Sequence, residues 1–397
     1  MSIISFLDLG YQPLANNYLN KKNKNKKEKK YRLKVCLDTK TKLVSIEKTV
    51  SSKTMFNNNY PYRSSMSKTM IKSFKDLSKL IKNKFKPNKI LEIGSNDGAF
   101  IKNFKKNKTI GIEPCANVEK ITKKLGYNTY PFYWSKKLSK KILKKNGYVD
   151  VIYSANTISH IKDLNEVFGA INLILNKNGV LILEDPSLLE CLKRNTYDQF
   201  YNEHIYVFSA IALDNILKKY KLEIFKIDKL NIHGGSNRYF IKKVNSQKKI
   251  DKSALINKKI EINFGLKNLN TYKKFSTRVI KSKKKLIEIF DKLKKKNKRI
   301  IGYGATAKST TILNYCNVNN KTIDYFLDTT KDKQNKFTPG TKIPIFEYKG
   351  LNNKDIDYIF LGAWNFKDEI FKKEKKFIKN GGKFIIHTPT PKIIWKE

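Results

Sequence analysis

Short apolar runs alternate with longer amphipathic stretches through the middle of the chain. The runs have the length and the flanking turn residues of buried strands, and the stretches between them repeat apolar residues at the spacing of a helix face. One such helix is predicted at Lys68–Phe85, ahead of the first strand. The predicted strands are Lys89–Ile93, Thr109–Glu113, Asp150–Ser154 and Val180–Glu184. Alternation of this kind predicts a parallel sheet with helices on both faces.

Two longer strands follow this pattern. Leu222–Leu230 and Asn237–Val244 are separated by a short Gly-Gly connection, which predicts an antiparallel pair at one edge of the sheet. A parallel sheet closed by such a hairpin is the methyltransferase form of the Rossmann architecture.

A second strand–turn–helix unit begins near Lys298. The stretch before it, from about 250 to 297, is charged and has the pattern of a connecting helix pair. Further strands of this unit are predicted at Ile323–Leu327, Tyr358–Gly362 and Lys383–His387. This unit is therefore predicted to be a smaller α/β domain.

The fold class that follows is α/β. A Rossmann-type class I methyltransferase core is followed by a second Rossmann-like domain and preceded by a small polar lobe. The predicted domains are residues 1–56, 57–245 and 246–397. Each of the two larger domains is long enough to bury a core of its own.

The amino-acid composition limits the class of protein and its expected cellular location. The chain has 397 residues, of which 40% are hydrophobic, so a globular protein is expected. No apolar stretch approaches the ~20 residues that span a bilayer, and the N-terminus lacks the basic start of a signal peptide. The cysteines show no disulfide spacing. These features predict a cytoplasmic protein with no membrane partner.

The formal net charge of +49 is high enough that nucleic acid must be considered as a binding partner. Lysine supplies most of the excess and is spread over every predicted helix, alongside abundant Asn and Ile. These residues have AT-rich codons, so genome composition is a sufficient cause. The densest basic run, Lys21–Lys30, is predicted to be a solvated loop. No nucleic-acid partner is therefore predicted.

The first glycine turn predicts a cofactor. Gly94 and Gly98 follow a buried strand, and Glu113 ends the next strand, about where a Rossmann sheet places the acid that binds a ribose diol. The Gly-x-x-x-Gly spacing lacks the pattern that a dinucleotide pyrophosphate requires, so S-adenosylmethionine is favoured over NAD. The candidate cofactor residues are Glu92, Gly94, Ser95, Asn96, Gly98, Glu113 and Asn156.

Several motifs together resemble the sugar C-methyltransferase family, whose members methylate a carbon of a nucleotide-linked keto-deoxysugar. The resemblance covers nearly the whole chain in the family's order: N-terminal zinc lobe, methyltransferase core and C-terminal domain. The motifs are Asn57–Met70, Leu91–Phe100, Tyr201–Ser209, His233–Arg238, Gly302–Tyr315 and Gly362–Phe366.

Carbon methylation of a keto sugar needs a base that removes the proton beside the carbonyl and donors that stabilise the enolate. The segment Tyr201–His204 supplies both kinds of group. His204 is a candidate base, Glu203 either orients it or is itself the base, and Tyr201 is a candidate donor to the enolate oxygen. The resemblance places these positions at the sugar site. Asn202 stands where the family usually has His.

Further substrate contacts are predicted around this segment. Tyr60, Tyr62 and Ser65 lie in a polar, aromatic turn that resembles the family's lid over the sugar. His233 precedes the Gly-Gly hairpin, which needs no function to explain it, so its role as a site residue and a purely structural role stay open. The resemblance assigns Tyr303 and Lys308 to the nucleotide or diphosphate.

The second glycine turn, Gly302–Ser309, is one residue short of a Walker A loop and has Ala307 in place of the second glycine. Because that glycine lets the backbone wrap phosphates, an ATPase is not predicted. The two glycine turns are instead predicted to mark two separate ligand sites.

The family usually carries two Cys-x-x-Cys pairs in its N-terminal lobe. Here Asp38 and Thr41 align with the second pair, and Cys36 is out of position. Because tetrahedral zinc needs four ligands, the lobe is predicted to hold no zinc.

The predicted function is S-adenosylmethionine-dependent C-methylation of a nucleotide-linked, 4-keto deoxysugar, for a branched sugar of a surface polysaccharide or a glycosylated metabolite. Two alternatives stay open: an RNA methyltransferase that uses the positive charge, and a non-catalytic nucleotide-sugar-binding protein. The sequence leaves the oligomeric state open, a monomer included.

Overall fold

The computed structural model describes residues 3–58, 60–351 and 356–395. Asn59, in the predicted lid motif, lies outside the described residues, as do positions 1–2, 352–355 and 396–397. Within the described ranges, none of the helices combines the length and apolar character that crossing a bilayer requires.

The N-terminal segment forms an antiparallel sheet, where the sequence predicted only a polar lobe. Alternate residues of its second strand, Leu33, Val35 and Leu37, are fully buried, and the lysines between and around them had obscured that period-two pattern. The elements are β1 (Ile3–Gln12), β2 (Tyr31–Asp38), β3 (Val44–Ile46) and helix α1 (Ser52–Met55). The lysine-rich run 21–30 is a mostly exposed turn and loop between β1 and β2, as predicted.

Helix α2 spans Lys68–Phe85, the predicted bounds. Its start is defined by Ser67, whose side chain accepts a hydrogen bond from the Met70 amide. Residues at helical spacing, among them Phe74, Leu77 and Ile81, are buried along one face. This helix covers one face of the central sheet and carries the lid segment at its N-terminal end.

The central sheet has the order β10–β11–β8–β7–β4–β5–β6. Neighbours from β8 to β6 pair in parallel, and β11 pairs antiparallel with both β8 and β10, which confirms the predicted sheet and its edge hairpin. The elements are β4 (Ile90–Ile93), β5 (Thr109–Ile112), α3 (Ala116–Lys124), β6 (Asn128–Tyr130), α4 (Lys136–Asn146), β7 (Val149–Ala155), α5 (Leu164–Ile174), β8 (Leu175–Pro186), α6 (Leu188–Arg194), β9 (Tyr206–Val207), α7 (Ala210–Leu217), β10 (Leu222–Leu230) and β11 (Ser236–Lys243).

The C-terminal part forms a second parallel sheet in the order β14–β13–β12–β15–β16–β17, with only its last pair antiparallel within the described residues. The helical connection is present as α8 (Lys252–Phe264) and α9 (Leu269–Lys295). The remaining elements are β12 (Ile300–Tyr303), α10 (Ala307–Tyr315), β13 (Phe326–Asp328), β14 (Ile345–Glu347), β15 (Tyr358–Leu361), α11 (Lys367–Lys373), α12 (Lys375–Lys379), β16 (Lys383–Ile386) and β17 (Lys392–Ile394).

The N-terminal sheet is completed by the methyltransferase core. Strand β9 pairs with β3, so Val207 lies opposite Val44 and the sheet order is β1–β2–β3–β9. Strand β9 directly follows the Tyr201–His204 segment in the chain. The lobe is therefore held beside that segment by backbone pairing. The division at residues 56 and 245 stays a prediction.

Candidate active site

A cavity of about 890 Å³ lies among the N-terminal segment, the central sheet and the C-terminal sheet. Its lining includes Gly94 from the first glycine turn and Gly304 from the second, together with Glu203. The sequence predicted two separate ligand sites at these turns. The structure instead opens both turns onto one cavity, because the ends of β4 and β12 face each other across it.

Gly94 ends β4 with a positive φ of +77°. Its amide donates to the Ile112 carbonyl at 2.8 Å, which ties the turn to β5. A Cβ at this position would overlap the Thr157 side chain. Glycine is thus required here both by backbone conformation and by the close approach of the neighbouring turn.

Glu113 lies at the cavity wall, directly after β5. One carboxylate oxygen accepts from the Asn96 amide at 2.9 Å and the other from the Cys115 amide at 2.8 Å. Burial raises the pKa of Glu113, and these amide hydrogen bonds oppose the rise. The carboxylate is therefore held in a fixed orientation beside the first turn.

Asn96 and Asn156 also line the cavity, both with left-handed backbone. Asn96 accepts from the Ser64 amide at 2.9 Å through its side chain, so it connects the turn to the lid segment. Asn156 follows β7, and its amide donates to the Glu184 carbonyl at 2.8 Å. Polar groups from three adjacent strands thus meet at the carboxyl edge of the sheet.

Three of the candidate cofactor residues do not reach the cavity. Glu92 points into the interior, where burial raises the pKa of its carboxyl well above the ordinary value. Ser95 packs its hydroxyl toward Gly111, and a Cβ at Gly98 would face Thr122. Their side chains or Cβ positions therefore contact the interior of the sheet and the neighbouring helix, and not the cavity.

Tyr201 and His204 form a buried pair. The Tyr201 hydroxyl lies 2.5 Å from His204 Nε2, and His204 Nδ1 lies 2.7 Å from the Gln199 carbonyl. Because a carbonyl only accepts, the neutral imidazole carries its proton on Nδ1 and accepts the tyrosine proton at Nε2. The Tyr201 hydroxyl, expected to donate to an enolate, donates to His204 here.

His204 is also stacked against another imidazole. Its ring lies 5.1 Å from that of His160, which in turn stacks on Phe56 at 5.5 Å. Burial lowers the pKa of His204 well below its ordinary range, and the neighbouring His160 lowers it further. Burial alone lowers the pKa of His160 to about 4. Both rings are neutral at physiological pH.

Glu203 turns away from His204 and toward the N-terminal lobe. Asn16 Nδ2 lies 2.7 and 2.9 Å from its two carboxylate oxygens, and the Tyr60 hydroxyl donates to one of them at 3.4 Å. Burial raises the pKa of Glu203 to about 7, against the lowering effect of these donors. The expectation that Glu203 orients His204 does not fit these contacts.

The lid segment closes one side of the cavity. Tyr60 and Tyr62 line it, and the Ser65 hydroxyl instead donates to Asp97 at 2.5 Å, outside the lining. Arg63 holds the segment by donating to the Tyr60 and Tyr62 carbonyls and pairing with Asp332 at 3.2 Å. The lid is thereby tied to both the cofactor turn and the C-terminal sheet.

His233 and Lys308 lie together on the cavity wall. The His233 carbonyl accepts from the Gln199 side chain at 2.7 Å and from Lys308 Nζ at 3.4 Å. Burial lowers the pKa of His233 to about 3 and that of Lys308 to about 8. Asn202 does not join them, since its side chain donates to the Pro13 carbonyl at 3.2 Å, away from the cavity.

Tyr303 lines the end of the cavity that the C-terminal sheet forms. Its hydroxyl donates to Glu374 at 3.1 Å, and its ring lies 5.3 Å from that of Tyr348, which also faces the cavity. Beside it, Asp328 accepts from the Ala305 amide at 2.9 Å, the arrangement that Glu113 has in the first turn. Lys333, a residue that the sequence analysis did not single out, pairs with Asp328 at 3.3 Å.

Comparison with protein families places three models along the chain. A "Methyltransferase domain" model matches residues 62–227, and a "C-methyltransferase C-terminal domain" model matches residues 231–389. A model described as "Putative zinc binding domain" matches residues 2–56.

The chain thus resembles the C-methyltransferase family over nearly its whole length. It is an S-adenosylmethionine-dependent methyltransferase with the domain order that the sequence motifs predicted. A curated relative, the C-methyltransferase NovU of Streptomyces niveus, is 27% identical over 402 aligned positions, which cover 100% of this chain and 95% of that protein.

Solved structures similar to this methyltransferase include S-adenosylmethionine-dependent methyltransferases from Clostridium acetobutylicum and Archaeoglobus fulgidus. The first is 16% identical, with a TM-score of 0.33, over 44% of this chain and 92% of that one. The second is 17% identical, with a TM-score of 0.33, over 49% and 88%. Identities and TM-scores this low carry no argument about the fold class, which the strand order establishes.

The N-terminal residues of this methyltransferase do not fit zinc. Among the described residues, no group of three or more His, Cys, Asp or Glu side chains is arranged to hold a metal ion. Asp38 instead accepts from the Thr41 hydroxyl at 2.9 Å and the Lys40 amide at 2.8 Å. The absence of zinc stays a prediction for metal analysis.

Sequence reasoning did not find the contacts that Asn16 and Gln199 make in this methyltransferase. Asn16 is far from the Tyr201–His204 segment in sequence and reaches Glu203 only through the tertiary fold. Gln199 acts through its backbone carbonyl, which no side-chain motif reveals. The closeness of Gln199 to Tyr201 in the chain was the one sequence feature that could have pointed to its role.

Proposed function

We propose that this protein transfers the methyl group of S-adenosylmethionine to a carbon of a nucleotide-linked keto-deoxysugar, the 4-keto form being favoured. The observation that carries the proposal is the single cavity that Gly94, Glu113, Glu203 and Lys308 all line. A two-substrate reaction needs the methyl donor and the acceptor in one enclosed space. The motifs shared with sugar C-methyltransferases indicate the acceptor class.

The residues around the first turn fit S-adenosylmethionine. Each oxygen of Glu113 accepts one amide and keeps a lone pair for a ribose hydroxyl. Gly94 leaves the floor of the turn free of a side chain, and Asn156 adds polar groups from the next strand. The bound cofactor supplies an electrophilic methyl group, and the buried carboxylates offset its positive charge.

Glu203 has the properties of the base. Its pKa of about 7 makes the carboxylate available near neutral pH while keeping it basic enough to take a proton from carbon. His204 is less suited, because its ring stacks on His160 and its Nε2 lone pair already accepts from Tyr201. We therefore assign proton removal to Glu203.

In the proposed reaction, Glu203 takes the proton beside the sugar carbonyl, and the C–H electron pair forms the enolate. S-adenosylmethionine held at Gly94 and Glu113 would supply the electrophilic methyl group to the enolate carbon, with the electrons of the broken C–S bond staying on sulfur. Once Glu203 is protonated, the Tyr60 hydroxyl that donates to its carboxylate is released and can donate to the enolate oxygen.

The C-terminal end suits the nucleotide diphosphate. Lys308 lies in the first turn of α10, and its ammonium faces the cavity beside the His233 carbonyl. Helix N-termini and lysines both favour phosphate. Tyr303 and Tyr348 offer aromatic surface for the base. Asp328 is less available for a ribose, since Lys333 already pairs with it.

The test is incubation of a keto-deoxysugar nucleotide with S-adenosylmethionine, followed by mass spectrometry. A gain of one methyl group is expected, and deuterium at the methylated position should wash out into solvent. The reduced 4-hydroxy sugar nucleotide is the matched control, because it cannot form an enolate. If the hydroxy sugar reacts equally well, the enolate mechanism is wrong.

The two alternatives give different results in the same assay. An RNA methyltransferase would methylate RNA, bind it with steep salt dependence and leave the sugar nucleotide unchanged. A non-catalytic binding protein would be stabilised by the sugar nucleotide but not by S-adenosylmethionine. Either outcome would overturn the proposal.

A further inference from the structure

The segment Pro13–Tyr18 is clamped between the two Rossmann-like parts of the molecule. On one side the Asn202 amide donates to the Pro13 carbonyl at 3.2 Å. On the other, Thr310 donates to the Ala15 carbonyl at 3.2 Å, and the Tyr18 hydroxyl donates to the Ala305 carbonyl at 2.7 Å. The segment is therefore fixed relative to both the Tyr201–His204 segment and the second glycine turn.

Asn16 projects from this segment onto Glu203. Its side-chain nitrogen donates to both carboxylate oxygens, at 2.7 and 2.9 Å, across 187 positions of sequence. A carboxylate only accepts, so the amide nitrogen must face it. Asn16 itself lines the cavity. No other donor to Glu203 among the described residues is this close, the Tyr60 hydroxyl being at 3.4 Å.

We infer that Asn16 is a positioning residue for Glu203, and that the N-terminal lobe thereby forms part of the active site. The Asn16 amide stabilises the ionised carboxylate and fixes the direction of its oxygens. The lobe thus has a function in the reaction that does not depend on a metal. The inferred role of Asn16 in methyl transfer rests on the proposed function, whereas its effect on the Glu203 carboxyl group does not.

The surroundings of Glu203 make this contact important. The neighbouring titratable groups are phenols and a thiol with raised pKa values and imidazoles with lowered ones, all neutral near pH 7; these are Tyr18, Tyr60, Cys115, Tyr201, His160 and His204. Within the described residues, Glu203 has no ion pair closer than 4.0 Å. A neutral donor therefore carries the stabilisation that a cation provides elsewhere.

The direct test titrates the Glu203 carboxyl without any substrate. The infrared difference between the wild-type protein and Glu203→Gln, recorded across pH, isolates the carbonyl band of protonated Glu203. In Asn16→Ala the midpoint should rise by about one pH unit, since loss of a hydrogen bond to the charged form raises a carboxyl pKa by that order. In Asn16→Asp it should rise further, because a second carboxyl repels the charge.

Asn17→Ala is the matched control, because Asn17 is exposed and adjacent. It should leave the midpoint at the wild-type value. Asn16→Asp keeps the size of the side chain, so it separates the electrostatic effect from a packing defect. Unchanged midpoints in both Asn16 variants would overturn the inference.

The pH–rate profile extends the test to the reaction. Its acid limb should move to higher pH in Asn16→Ala, with the rate recovering in alkaline buffer. A limb that stays in place while the infrared midpoint rises would contradict Glu203 as the base and leave the Asn16 contact intact. The two failures are therefore distinguishable.

Discussion

The Tyr201 hydroxyl donates to Nε2 of His204, and the Gln199 carbonyl fixes the imidazole in the tautomer that can accept it. Both side chains line the cavity, and their hydrogen bonds to each other and to Gln199 are complete without a ligand. Glu203 lines the cavity beside them, and its carboxylate keeps lone pairs free to take a proton. This difference separates a structural pair from a group able to take a proton.

Glu203→Gln should reduce methyl transfer by about 10²–10⁴-fold, the range of general-base catalysis. In the wild-type protein the carboxylate is the active form, so the rate should rise with pH through about 7 and then level off. The pH–rate profile of kcat/KM measures this. Gln keeps the size of the side chain and one acceptor for the Asn16 amide, so folding should be unaffected. An acid limb that survives in this variant would assign the base elsewhere.

Tyr201→Phe should lower the free energy of unfolding by about 1–3 kcal/mol, because it leaves Nε2 of His204 buried without its donor. Denaturant titration measures the change. Tyr11→Phe is the control, since Tyr11 is 64% exposed. If Glu203 is the base, Tyr201→Phe should also keep the acid limb near its wild-type pH. Loss of that limb would make the Tyr201–His204 pair the proton acceptor.

Glu113→Gln should weaken S-adenosylmethionine binding, because an amide accepts through only one atom and cannot hold both backbone amides and a ribose diol. The thermal shift produced by the cofactor measures this, since a ligand that binds only the folded state stabilises it by RT ln(1 + L/Kd), where L is the free ligand concentration. The shift produced by the sugar nucleotide should be unchanged. Equal loss of both shifts would indicate a folding defect instead.

Gly94→Ala should abolish cofactor binding and also destabilise the fold, because its Cβ overlaps the Thr157 side chain. Gly10→Ala is the matched control: Gly10 also has a positive φ, of +73°, but no atom within 4 Å of its Cβ position. Backbone strain alone should cost about 1–2 kcal/mol in the control. Denaturant titration of both variants separates strain from overlap. Equal losses would mean that Thr157 moves aside without cost.

Purified protein should contain less than one equivalent of zinc, and a chelator should leave its thermal unfolding unchanged. The physical reason is that Asp38 and Thr41 are hydrogen-bonded to each other in the lobe matched by the zinc-binding model. Metal analysis by mass spectrometry, with Asp38→Ala as the comparison, checks this. One equivalent of zinc, lost on Asp38→Ala, would show that the lobe binds the metal.

Much of the fold could be predicted from local sequence patterns. Helix α2 begins and ends at the predicted residues, because its apolar spacing and Ser67 cap are local features. Strand β10 also matches its predicted bounds. The N-terminal sheet was underestimated because polar, lysine-rich segments separate its strands, and the brief β6 carries too few residues to form a pattern.

Some residues of the candidate site could likewise be placed from local sequence patterns, and others could not. The glycine turn and Glu113 were recognisable because a turn and the ends of adjacent parallel strands are tied to each other by register. Ser95, Gly98 and Asn202 were placed at the site by proximity in sequence. The structure turns them away from the cavity, because each contacts a segment distant in sequence on the side away from it.

The sequence by itself determined the two glycine turns, the order of strands and helices, and the family motifs, since all of these depend on residues close together in the chain. Only the tertiary structure decided that both turns open onto one cavity and that Asn16 holds Glu203. It also decided that Glu203 has a pKa near 7 while His204 stays neutral. Burial and long-range donors set these properties, and both arise only when distant segments pack together.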